Sequence, residues 1–469
     1  MPVKYCRKFL FLKFCVLLMC PTFIFANGDQ ELKLFTDEGE RLIARENMIV
    51  LNEQVNIPEF KSIDREIQAL LSTWGIKGAV VGIAKDEEIV YAKGYGFSDI
   101  SKRKSVQPDH LFRLASISKL ITATAVFKLI EEQKFTLDSK VFGENGLLND
   151  SIYQSNIVDK RIEEITIRHL LNHTGGWDKR EIWDVAWLPD FQLHEFLPGP
   201  YSLTSKLIAF TLNKGLEADP GTKSAYSNVG YIILGDVIQK LSGKTYDEYV
   251  RSEIFEPCKI SDIFPGKSFE EDRYVDETMY YDAPGAKMRR SVFGEGNIVP
   301  GPYGSANIEL LGASGGWVGS AREVLKLVLA IDGMDNVPDI LSAKSIEEMT
   351  TRAPENFPFG WMGVSEDSWW RTGTLSGTSA IVVKRNDGIS YVMLVNTSTK
   401  MGNRFSYEMR KAIEKGLAAI KHWPDRYNVF ANYTYKEKVF PTPLPGIELP
   451  IPENPLIVMY DMAMEGERK

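Results

Sequence analysis

Apolar residues recur along this chain at two different periods, and the order in which the periods alternate defines a fold class. From Phe60 to Thr73, the residues Ile63, Ile67, Leu70 and Leu71 fall on one face of a helix. Gly78-Ala79-Val80-Val81-Gly82-Ile83-Ala84 then makes a short apolar run, followed by a polar turn at Lys85-Asp86-Glu87 and a second run, Ile89-Val90-Tyr91-Ala92. That pattern predicts a β-hairpin. A second hairpin is predicted far downstream, where Ala380-Ile381-Val382-Val383 and Tyr391-Val392-Met393-Leu394-Val395 flank the turn residues Asn386-Asp387-Gly388. The sequence between the hairpins is rich in helical periods, and a last helix is expected from about Ser406 to Ile420. Strands from both chain ends around a helical middle imply an α/β fold. The expected architecture is an antiparallel sheet built from both chain ends, flanked by helices, with a helical lobe inserted in the middle.

The chain's 469 residues, 44% of them hydrophobic, suffice for a large core. Its first segment differs from the rest. Met1 to Ala26 places Lys4, Arg7 and Lys8 ahead of the apolar stretch Phe9 to Met19, which only Lys13 interrupts. This is the pattern of a secretory signal peptide cleaved near Ala26, with an uncleaved membrane anchor as the alternative. Residues 27–59 read as an irregular lead-in, 60–420 as the folded domain, and 421–469 as an extension punctuated by Pro441, Pro443, Pro445, Pro450, Pro452 and Pro455. Cys6, Cys15 and Cys20 lie in the first segment, so its removal leaves Cys258 alone and no internal disulfide. Loss of Lys4, Arg7, Lys8 and Lys13 takes the formal charge from −8 to −12. An acidic chain of this kind argues against nucleic acid as a partner and against an anionic membrane.

The chemistry is concentrated in a few short words. Ser116-Ile117-Ser118-Lys119 puts a hydroxyl and an amine one helical turn apart, at the start of a predicted helix carrying Leu120, Ile121, Ala125, Leu129 and Ile130. A serine hydroxyl is a weak nucleophile until a neighbouring group takes its proton, and a helix start favours an oxyanion. The same spelling recurs at Ser101 to Lys104, inside a polar loop, so the word alone is not specific.

Context supplies the specificity. Leu111 to Lys119, His169-Leu170-Leu171-Asn172-His173-Thr174-Gly175-Gly176, Pro220-Gly221 ahead of Tyr226-Ser227-Asn228, Gly315 to Glu323, and Arg371-Thr372-Gly373-Thr374 follow one another in an order that resembles the serine β-lactamase and penicillin-binding-protein superfamily. The likeness is greatest to its class C branch with the related esterases and D-amino-acid peptidases, and runs from about residue 60 to 420. The resemblance implies a β-lactamase/DD-peptidase-like fold with Ser116 as nucleophile, Lys119 assisting its deprotonation, and Tyr226 as general base and later acid. It implies Asn228, Arg371, Thr372 and Gly373 as substrate-binding residues, and the backbone N–H groups of Ser116 and Thr374 as an oxyanion hole. Arg371 departs from the family pattern of lysine or histidine. A guanidinium stays charged and cannot shuttle a proton, so it is expected either to bind a substrate carboxylate or to pair internally with Glu366 or Asp367.

Two competing spellings carry less. Gly312-Ala313-Ser314-Gly315-Gly316 matches a nucleophile elbow, yet Asn307 to Leu311 makes a poor strand to precede it. His169 and His173 have two-ligand metal spacing, but no Glu follows His169, and packing with helix termination is the expected role. No metal or cofactor is called for. The segment Thr174 to Pro200, with Trp177, Trp183 and Trp187, is expected to be a long loop that either rims the site or tucks its tryptophans into the lobe.

The expected function is that of an exported serine hydrolase, periplasmic or secreted. It would act through an acyl-enzyme on D-amino-acid peptides, β-lactam-like amides or esters, with peptidase or esterase favoured over a dedicated β-lactamase. Its partners would be a small-molecule or short-peptide substrate, with no stable membrane insertion after cleavage and a further contact open to the C-terminal tail. The alternative is a penicillin-binding sensor or scaffold that acylates without turning over.

Overall fold

The computed structural model describes residue 52 and residues 57–177, 187–294, 296–351 and 356–424. Contacts divide the chain into Met1–Met48 and Ile49–Lys469, and the described residues all belong to the second part. The expected signal segment 1–26, nearly all of the lead-in 27–59, Trp183, and all but the first four residues of the extension 421–469 lie outside them.

The sheet has seven strands, all neighbours antiparallel, in the order β3-β2-β1-β12-β11-β10-β9. Its early strands are β1 (Gly78–Lys85), β2 (Glu88–Asp99) and β3 (Lys104–Ser105). Its late strands are β9 (Gly363–Val364), β10 (Ser368–Leu375), β11 (Thr378–Arg385) and β12 (Ile389–Val395). The two predicted hairpins are therefore present, and β1 pairs with β12 to join the two ends of the chain, Val81 opposite Met393 and Ile83 opposite Tyr391. The first turn is tight: Asp86 and Glu87 adopt φ of 50° and 66°, the left-handed pair that matches strand twist in a two-residue hairpin.

Both faces of the sheet are covered, which explains why β1 and β12 read as unbroken apolar runs instead of alternating ones. On one face, Ala79, Val81, Ile83, Ile381, Val383 and Met393 pack against α1 (Lys61–Trp74) and the last helix, Phe405–Ala418. The described chain begins and ends on this face, where the Phe60 and Trp423 rings lie 5.8 Å apart. On the other face, Val80, Ala84, Ala380, Val382, Val392 and Leu394 join the core of the helical lobe. That lobe contains α2 (Ser118–Glu131), α3 (Ile167–Leu171), α4 (Asp190–Phe196), α5 (Asn228–Ser242), α6 (Ile308–Gly315) and α7 (Ala321–Leu329), with shorter helices between; the Phe405–Ala418 helix is α8.

Three small strands, β4 (Phe112–Arg113), β5 (Ile263–Pro265) and β8 (Trp317–Gly319), form a second sheet with β8 in the centre. The segment Gly315 to Glu323 passes through β8 before α7 starts at Ala321. The expected loop 174–200 contains α4. Among the described residues no helix is long and apolar enough to cross a membrane.

Candidate active site

The site forms where β10 runs out past its neighbour. Strand β9 pairs only with Trp369 and Trp370, so from Arg371 onward that edge of β10 packs against the turn Ala115–Ile117. Gly373 makes the approach possible: a Cβ there would stand 2.5 Å from the Leu114 carbonyl oxygen and 2.9 Å from the Ser116 nitrogen. Ser116 itself sits in a 3-10 turn, with the α-helix beginning two residues later at Ser118, so it precedes the helix instead of opening it. The residue before it, Ala115, has φ of 48°, a left-handed conformation unfavourable for alanine and of the kind that functional turns sustain.

Three side chains converge on this serine from three elements. Lys119, fully buried as the second residue of α2, donates to Ser116 Oγ at 3.3 Å, to Asn228 Oδ1 at 2.7 Å and to the Ser314 carbonyl at 2.6 Å. Tyr226 and Asn228 are placed by the start of α5, whose Ser227 hydroxyl accepts from Gly230 N–H as a cap. The Tyr226 hydroxyl donates to Ser116 Oγ at 2.8 Å and accepts from Arg371 Nη2 at 2.6 Å. Burial would push that phenol up, but the charge of Arg371 and then that of Lys119, with the hydrogen bonds it shares with Lys119 and Ser116, outweigh it and bring it down to about 8.

Arg371 is where the structure departs most from expectation. Its side chain is fully buried and does not line the cavity. Nε donates to the Ser116 carbonyl at 2.8 Å, Nη1 to the Trp361 carbonyl at 3.4 Å, and Nη2 to Tyr226. The fork that was expected to hold a substrate carboxylate is engaged by the protein, and its partners are not Glu366 or Asp367. The reason is the closeness of β10 to the Ser116 turn, which puts acceptors within reach before any substrate arrives.

Ser116, Tyr226, Asn228, Thr372 and Thr374 line a cavity of about 460 Å³. The rest of its wall is largely apolar, with Trp187, Leu311, Met362, Trp370 and Leu375, and two cations on its rim, Arg404 and Arg410. None of the described lining residues is acidic. Sequence reasoning missed Trp370, Arg404, Tyr407 and Arg410; the last three recur at helical spacing around the start of α8, but nothing in the spacing reveals that this face meets the cleft. Of the tryptophans, Trp187 lines the cavity whereas Trp177 is buried in the lobe core.

The competing spellings resolve into structural parts. Ser314 lies within α6 instead of after a strand; it is fully buried, its hydroxyl donates to the Leu311 carbonyl, and its own carbonyl receives Lys119. His169 starts a helix where it was expected to end one: its Nδ1 accepts from Thr166 N–H in the capping box of α3. His173 follows the end of that helix with φ of 61°, accepts from Ser227 N–H, and stacks its ring 4.4 Å from that of Tyr226. It helps to fix the Tyr226 ring.

Residues 63–413 match the family described as Beta-lactamase. The chain belongs to the beta-lactamase family. Its relatives include Esterase EstB of Burkholderia gladioli, 26% identical over 377 residues, covering 72% of this chain and 90% of the esterase. Putative penicillin-binding protein PbpX of Bacillus subtilis is 26% identical over 351 residues, covering 73% of this chain and 78% of that protein. The chain spans about half the length of the first curated relatives it matches. Among solved structures, a D-amino acid amidase from Ochrobactrum anthropi superposes with a TM-score of 0.57 at 20% identity, covering 78% of this chain and 99% of the amidase. An octameric penicillin-binding protein homologue from Pyrococcus abyssi gives 0.55 at 24% identity, covering 76% and 77%. These likenesses establish the beta-lactamase fold.

Proposed function

We propose that the protein is a serine hydrolase that forms an acyl-enzyme on Ser116. The observation that carries this reading is the pair of contacts on one hydroxyl, from Tyr226 at 2.8 Å and Lys119 at 3.3 Å, at the wall of a substrate-sized cavity. Membership of a family that includes an esterase and a penicillin-binding protein among this chain's relatives supports hydrolysis as the reaction class.

In the forward step, the phenolate form of Tyr226 takes the Ser116 proton while Oγ attacks the substrate carbonyl. With the phenol near 8, about one molecule in ten carries this base at neutral pH. The developing oxyanion is held by the Ser116 and Thr374 N–H groups, with Lys119 and Arg371 supplying positive potential close by. Tyr226 returns its proton to the departing amine or alcohol. Water then enters, Tyr226 acts as base again, and the acid product leaves with Ser116 restored.

The apolar wall of Trp187, Met362, Trp370 and Leu375 favours an acyl group with an aromatic or aliphatic side chain. D-amino-acid peptides, β-lactam-like amides and esters all satisfy that demand, and the cations that line the cavity for a carboxylated substrate are the exposed Arg404 together with Arg410, which also donates to Ser368 Oγ, and not Arg371. Export by way of Met1 to Ala26 is part of the proposal. A fluorophosphonate probe should label Ser116, and Ser116→Ala should abolish labelling while Ser314→Ala leaves it. An adduct mapped to another serine overturns the reading.

A further inference from the structure

The surface carries one patch whose charge opposes that of the whole chain. Strands β6 (Arg289–Arg290) and β7 (Ile298–Val299) form a separate two-stranded flap outside both sheets. Lys287, Met288, Arg289 and Arg290 are all exposed, with Met288 at 55% and Ile298 at 62%. In the register of the flap Arg290 stands opposite the exposed Ile298, so a cation and a bare aliphatic side chain share one face, while Arg289 stands opposite the half-buried Val299 on the other. None of the three cations makes an ion pair among the described residues, on a chain whose formal charge is −8.

The connection between the two strands is anchored, while the run from Lys287 to Arg290 stays exposed. Ser291 N–H donates to the Asn297 carbonyl and Val292 N–H to the Gly304 carbonyl, and the Phe293 ring packs 4.8 Å from that of Phe269. Asp190 ties the flap to the start of α4, its N–H donating to the Val292 carbonyl and its carboxylate accepting from Gly294 N–H. That anchor stands three residues after Trp187, which lines the cavity, and is followed by Phe191, itself 46% exposed.

We infer that this flap is a peripheral docking site for an anionic lipid bilayer, placing the cleft beside the membrane surface. A polyanion in solution would be matched by the cations alone. Exposed methionine and isoleucine standing with them gain only from an interface that has a negative surface over an apolar layer. The contact is superficial, distinct from a spanning segment, and the local charge overrides the acidic average because screening limits the field to about a Debye length.

Hydrogen exchange of the full chain, read by mass spectrometry on the peptide covering 284–300, tests this locally. Phosphatidylglycerol vesicles should protect that peptide and phosphatidylcholine vesicles should not. Each cation near an anionic leaflet multiplies partitioning roughly fivefold, so Lys287→Gln with Arg289→Gln and Arg290→Gln should weaken the protecting interaction on the order of a hundredfold. Met288→Ser with Ile298→Ser should make the remaining protection vanish in moderate salt, and unchanged thermal melting shows that both variants are folded. No protection of the flap by anionic vesicles overturns the inference. Equal protection by heparin, indifferent to the Met288 and Ile298 changes, also overturns it, in favour of a soluble polyanion.

Discussion

Arg371 Nη2 lies 2.6 Å from the hydroxyl of Tyr226, closer than either of the two contacts that Ser116 receives. The guanidinium is thus a permanent counter-charge for a phenolate, at a place where the family pattern has a group that can lose its proton. Because arginine does not titrate in the working range, the ionisation of Tyr226 is set by a fixed neighbour. Activity should rise with pH around a midpoint near 8. Arg371→Gln keeps hydrogen bonding and removes the charge; it should move that midpoint upward and lower kcat/KM at pH 7 about ten- to a hundredfold. Arg371→Lys should restore part of it. A pH–rate profile checks both, and a uniform loss with the midpoint unmoved would assign Arg371 a purely structural role.

Lys119 and Tyr226 act on one oxygen, so their losses should not multiply. Lys119→Met and Tyr226→Phe should each reduce kcat by about two to four powers of ten, and the double variant should fall little further than the worse single one. Strictly multiplicative losses, measured on one soluble ester, would place the two groups in separate steps.

Carboxylate preference should belong to Arg404. It is exposed and lines the cavity, while Arg371 is buried and engaged. Arg404→Ala should cost carboxylated substrates about three- to tenfold in kcat/KM, below the usual range for charge-assisted bonds because water screens the site. Neutral esters should change little. The ratio of the two kcat/KM values is the measurement that decides.

Asp332 gives a pH dependence of stability that has nothing to do with catalysis. Its side chain is buried near Glu87, Asp339 and Lys384, its Oδ2 has no hydrogen-bond partner, and burial pushes it up to about 6. The folded protein therefore holds this proton more tightly than the unfolded chain. The resulting stabilisation is complete below about pH 4 and is lost as pH rises towards 6, staying absent above. Asp332→Asn keeps the acceptor for Met334 N–H and removes the charge. It should raise stability at pH 8 by about 1–2 kcal/mol and do little at pH 4, as denaturant titrations at the two pH values would show.

Much of the fold was legible because its signals are local. The hairpins announce themselves by apolar runs around Asp86-Glu87 and Asn386-Asp387-Gly388, and α1 by the period of Ile63, Ile67, Leu70 and Leu71. The gathering of Ser116, Lys119, Tyr226 and Asn228 followed from their order and resemblance to a known pattern. What stayed hidden depends on tertiary approach. Whether Arg371 turns to substrate or to Tyr226 is decided by how close β10 passes to Leu114, which no spacing encodes. The left-handed Ala115, the carbonyl of Ser314 on Lys119, and the division of labour between Trp177 and Trp187 are equally invisible until the lobe is packed.

The sheet that joins early strands to late ones has a consequence for the chain during synthesis. The link from Arg371 to the Ser116 carbonyl spans 255 residues, and β12 must arrive later still to wedge β1 against β11. A nascent polypeptide therefore displays Ser116 long before it owns the guanidinium that bonds to Tyr226 or the β10 edge that packs against the Ser116 turn. Closing so long a loop is slow, and the helical lobe, whose contacts are nearer in sequence, has time to order first. Assembly of the cleft is in this sense withheld until Val395 has been made, and a transcript cut short before that strand yields Ser116 without the completed sheet that packs against its turn.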